Sequence, residues 1–74
     1  MQVNRIEETT DRNGNPEVFC EVIFSSQTYG MINFGHWLTP SELAAYTADH
    51  AAITTIMEAY QLTAELQKAQ ELAG

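Results

Sequence analysis

Apolar residues recur with period two in the first half of the chain and with a period near 3.6 in the second; the change falls near Thr39. Val18, Cys20, Val22 and Phe24 alternate with Phe19, Glu21 and Ile23, which predicts a strand with the first four side chains turned to a core. Similar alternation before and after it predicts a three-stranded antiparallel meander over about residues 2–10, 17–25 and 28–35. Phe19 and Ile23 leave its second face partly apolar.

Between the first two strands lies Asp11-Arg12-Asn13-Gly14-Asn15-Pro16, which suits a type I turn with Gly14 at the positive-φ position of a three-residue hairpin loop. Pairing Asp11 with Asn15 sets Arg5 opposite Glu21, Val3 opposite Ile23 and Ile6 opposite Cys20. Slipping that register by two would set Glu7 against Glu21, so the first register is the expected one. Ser25-Ser26-Gln27 reads as the break before the third strand.

Leu38-Thr39-Pro40-Ser41-Glu42-Leu43 carries the strongest local signal. Thr39 suits an N-cap, Pro40 the first helical position, and Glu42 completes a capping box, with Leu38 stapling the first turn. No Gly or Pro follows until Gly74, which predicts a long C-terminal helix over about 40–73. Unbroken, it would run ~50 Å at 1.5 Å per residue, against ~27 Å for an eight-residue strand. It therefore overshoots its sheet or bends.

Two apolar stripes sharpen that choice. Leu43, Tyr46, His50, Ile53, Met57, Tyr60 and Ala64 share one helical face; Leu62, Leu66, Ala69 and Ala73 form a second, turned by about half a circle. One straight helix cannot bury both against the same sheet. Either the chain bends between His50 and Thr63, with Asp49 and Thr63 as internal caps, or the second stripe meets another molecule. The fold class is thus α+β, one domain over 1–74, with the meander in 1–38 and the helix in 39–74.

Composition adds limits. The 74 residues carry three Lys or Arg against ten Asp or Glu, a formal charge of −7. Arg5, Arg12 and Lys68 are too few to neutralise a phosphate track, so neither direct nucleic-acid binding nor an anionic membrane partner is expected. No apolar run is long enough to span a bilayer. The first residues lack the charged and apolar regions of a signal peptide, and Cys20 is the sole cysteine, which together favour a reducing cytoplasm. A core this small seldom stabilises a chain well, so oligomerisation or docking on a partner is expected.

Candidate chemistry is sparse. Cys20, His36 and Asp49 are the ingredients of a thiol nucleophile, but Cys20 sits in the alternation of a buried strand. His36 and His50 lack metal-ligand spacing. Glu7, Glu8, Asp11, Glu17 and Glu21 read as edge protection. Gly30 and Gly35 belong to no phosphate-cradling motif. No catalytic residue, cofactor or metal is expected, and the chain reads as a non-enzyme.

Two features point to partners. The segment Tyr29–Trp37 is dense in aromatics; Trp37 either closes the sheet–helix core or, with Tyr29, stands exposed as a hot spot. Glu42 and Asp49, and Glu58 and Glu65, are paired a heptad apart, a spacing compatible with copying a phosphate track. The first functional reading is an interaction module that forms a homodimer or docks on a larger protein through Leu62, Leu66, Ala69 and Ala73, aided by Trp37 and Tyr29. The alternative is an acidic, phage-type accessory protein that mimics nucleic acid and inhibits a nuclease or defence complex through Glu42, Asp49, Glu58 and Glu65.

Overall fold

In a computed structural model covering residues 1–74, Asp11 organises the first hairpin. Its N–H donates to the Asn15 carbonyl at 2.8 Å, and its Oδ1 accepts from the N–H groups of Asn13 and Asn15 at 2.8 and 2.9 Å. Gly14 takes φ +82°, where an L side chain would be strained. Hydrogen bonding, that from the Asn15 N–H foremost, holds the Asp11 carboxyl below its ordinary pKa. The flanking strands are β1 (Gln2–Thr10) and β2 (Pro16–Ser26).

The expected register holds from Thr10 back to Arg5, with Arg5 opposite Glu21 and Ile6 opposite Cys20. Val3 departs from it, lying opposite Val22 rather than Ile23. Asn4 is the extra residue of a bulge, its side-chain amide donating to Glu21 Oε1 at 3.1 Å. A shift of one residue exchanges the faces of a strand. Val3 therefore turns inward and packs against the core.

The third strand, β3, spans Gly30–Trp37 rather than 28–35. Thr28 and Tyr29 belong to the turn, where both N–H groups donate to Ser26 Oγ at 3.2 and 3.1 Å. Gly30, at φ +75°, ends that turn opposite Ser26. The sheet order is β1-β2-β3, antiparallel throughout.

Beyond the sheet the helical region divides in three: α1 (Pro40–Ala48), α2 (Ala52–Glu58) and α3 (Gln61–Ala73). The capping box at α1 is formed, Thr39 Oγ1 accepting from the Glu42 N–H and Glu42 Oε1 from the Thr39 N–H. At the first break Asp49 is extended, and its Oδ1 accepts from the Ala51 N–H at 3.1 Å. A short side chain competing for backbone donors interrupts the helix here. The second break is at Ala59–Tyr60, where the Tyr60 N–H bonds the Met57 carbonyl in a tighter turn. Thr63 lies inside α3 and caps nothing.

The core gathers Val18, Cys20, Val22 and Phe24 from β2, Ile32 and Phe34 from β3, and Tyr46, Ile53, Met57 and Ala64 from the helices. Tyr46, Ile53, Met57 and Ala64 are thus the buried part of the first stripe. His50 is not: the Asp49 break exposes it, stacked on the Tyr46 ring at 4.5 Å.

Candidate interaction surfaces

Helix α3 packs one side chain, Ala64, fully into the core. On its opposite side Leu62 is 67% exposed and Leu66 55%. At 100° per residue, Leu62, Leu66, Ala69 and Ala73 fall within an arc of about 60°, roughly opposite Ala64. Ala69 is half-buried and Ala73 exposed, while Leu72, at 68% exposure, widens the strip. Along β3 the inward side of α3 leaves a cleft of about 140 Å³, partly lined by Met31, Phe34, Ala64 and Lys68. The helix therefore leans on the sheet by a narrow contact and turns its leucines outward.

A second apolar area lies on the sheet face away from the helices. Trp37 ends β3 there, 51% exposed, so it does not close the core. Strand alternation explains this: Phe34 and His36 face the helices, and Trp37, opposite Phe19, faces out. The Phe19 and Trp37 rings are tilted at 5.1 Å, and the Arg5 guanidinium lies 5.5 Å from the Phe19 centroid. Gly35 permits this packing; a Cβ on it would come 2.5 Å from Phe19 Cζ. Met31 is exposed on the same face, whereas Tyr29 is half-buried against the core and offers a partner less.

The densest polar cluster is a clasp. Glu42 Oε1 meets His36 Nε2 at 2.8 Å, and Glu42 Oε2 accepts from the Tyr60 hydroxyl at 2.5 Å. Together with the Thr39 N–H, these bonds tie β3, the start of α1 and the start of α3 to one carboxylate. Burial alone would raise its pKa; the hydrogen bonds from Tyr60, Thr39 and His36 outweigh that and hold it at about 2. The same bond to Glu42, with burial, pushes the Tyr60 phenol up. The His36 and Tyr60 rings lie 4.2 Å apart, and neither concave surface of the molecule is lined by any member of the cluster. The geometry is that of a three-way tie between elements.

Cys20 and His36 are cross-strand neighbours, but Cys20 is fully buried, its thiol pushed up by desolvation, and Asp49 is occupied at the α1–α2 break. Cys20, His36 and Asp49 therefore form no relay. Among the four spaced carboxylates, Glu42 faces into the clasp and Glu65 is half-buried; Asp49 and Glu58 stand exposed. Glu42 is thus less open to a partner than Asp49 or Glu58, because tertiary contacts as well as the capping box engage its oxygens. The role of Tyr60 was hidden in sequence, since 18 residues separate it from Glu42 and only the folding-back of α3 unites them.

No helix is long and apolar enough to cross a membrane. No family model, curated protein or solved structure matches this chain.

Proposed function

We propose that the protein is a non-enzymatic docking module that pairs with itself, or with an apolar groove of a larger protein, through α3. What carries this reading is the imbalance on one helix: Ala64 alone is fully buried, while Leu62, Leu66 and Leu72 are each more than half exposed. A Leu side chain contributes about 1.5–3 kcal/mol when fully buried, and association itself costs at least about 4 kcal/mol. Three leucines on one chain barely offset that cost. In a two-fold pair both copies contribute, which supports self-association; a large partner groove would supply the same area from its own side.

Light scattering on the eluting protein tests this. The wild type is expected at a multiple of its 8.3 kDa mass, and Leu62→Glu with Leu66→Glu at the single-chain mass with unchanged far-ultraviolet circular dichroism. If both proteins run as monomers, and neither gains a partner in affinity capture that the other lacks, the α3 reading falls.

A further inference from the structure

The larger concavity of the molecule lies away from α3, where β3 parts from β2. Residues Pro16 and Glu17 of β2 extend past the last residue of β3, while the chain turns through Leu38 into α1. The result is an open groove of about 580 Å³ lined by Asn15, Pro16, Glu17, Trp37, Leu38, Pro40 and Leu43. Its walls are apolar and aromatic, with a single charge, the Glu17 carboxylate. Glu17 is half-buried, and no hydrogen bond or ion pair engages its side chain.

The neighbouring rung of the sheet shows what such an arrangement accepts. There Arg5 rests over the Phe19 ring and lies 3.7 Å from the Glu7 carboxylate, opposite Phe19 on β1. An aromatic face and a carboxylate together hold a guanidinium. Trp37 and Glu17 bring a larger ring and a carboxylate to one groove in a diagonal placement, Trp37 opposite Phe19 and Glu17 opposite Thr9 on the next rung, and no basic side chain of the chain itself serves them. Lys68 pairs with Glu71, and Arg12 lies exposed in the hairpin loop outside the groove. The formal charge of −7 attracts cations to the whole surface, and this groove is lined by both an exposed ring and an unpaired carboxylate.

We infer that this groove binds a basic peptide segment, laying an arginine over Trp37 against Glu17 with neighbouring apolar groups on Pro16, Pro40 and Leu43. A peptide fits better than a small polyamine because the guanidinium is planar and stacks on indole, and because the floor offers apolar contacts beyond the charged end. The assignment shares with the docking reading only the exposure of Trp37, and it does not depend on α3.

Trp37 is the only tryptophan, so its fluorescence reports on the groove directly. Titration with blocked tri-arginine is expected to give a saturable change in its emission, and tri-glutamate none. Glu17→Gln should weaken binding about 3- to 5-fold, the upper part of the range for a partly exposed ion pair. Glu58→Gln makes the same charge change at an exposed site on α2 and should alter affinity less than about 2-fold. Binding should survive Leu62→Glu with Leu66→Glu, so that failure at α3 and failure at the groove are told apart. Equal losses in Glu17→Gln and Glu58→Gln would mean diffuse attraction to net charge and overturn the site. So would a silent Trp37 at millimolar peptide, or spermidine, of equal charge, binding as tightly as tri-arginine.

Discussion

Strand β2 and helix α3 have similar lengths, 11 and 13 residues, and opposite fates. β2 is flanked by strands on both edges and covered by helices on one face; it buries Val18, Cys20, Val22, Phe24 and Ser26. α3 touches the rest of the molecule along one line and buries Ala64. Both contain enough apolar side chains to form a core. What differs is the number of neighbours the topology supplies, and a leucine without a neighbour remains available to another molecule.

That contrast can be broken most sharply by truncation. Phe24→Ala, at a side chain 1% exposed, is expected to lose about 3–5 kcal/mol in urea unfolding. Leu66→Ala should stay within about 0.5 kcal/mol for the isolated chain. Equal losses would mean that α3 is part of the core after all.

A smaller effect concerns one of the ties between α3 and the sheet region. The Glu42 carboxyl is depressed from an ordinary 4.5 to about 2, so its contribution is fully present above pH 4.5 and lost as pH falls through that window to about 2. With its side chain 19% exposed, the linked stability is on the order of 2–3 kcal/mol. Glu42→Ala should remove a similar amount at neutral pH and flatten the acid limb of the stability profile below pH 4.5. An unchanged acid limb in that variant would refute the clasp. Asp11, also held low, acts in the same direction and remains in the variant as a smaller contribution.

On the outer sheet face, Gly35→Ala drives a Cβ toward the Phe19 ring and should cost about 1 kcal/mol, with a shift in Trp37 emission as the ring moves. Phe19→Leu in the same protein should recover most of the loss. The smallest effect is expected at the bulge. Asn4→Ala removes one exposed hydrogen bond to Glu21 and should change thermal unfolding by less than about 0.5 kcal/mol, since the inward packing of Val3 is left intact.

Much of this architecture was legible beforehand because its signals are local. Asp11, Gly14, Thr39, Pro40 and the capping-box bonds of Glu42 act within a few residues of their own position, and the β2 alternation needs only a neighbouring layer. The Asn4 bulge left no such mark, because its gain is that Val3 turns inward beside Val22 across the sheet. The second helical break, at Ala59–Tyr60, carries neither Gly nor Pro; Tyr60 is drawn by Glu42 and by the His36 ring instead.

By itself, then, the order of residues determined an α+β chain with a capped helical half, two opposed apolar stripes and a strongly acidic surface. Only the tertiary structure decided which stripe found cover, that Trp37 faces outward against the Phe19 ring, and that Glu42 binds three elements instead of facing solvent. Periodicity assigns a side chain to a face, but burial depends on what folds against that face, and that is fixed by contacts between residues far apart in the chain.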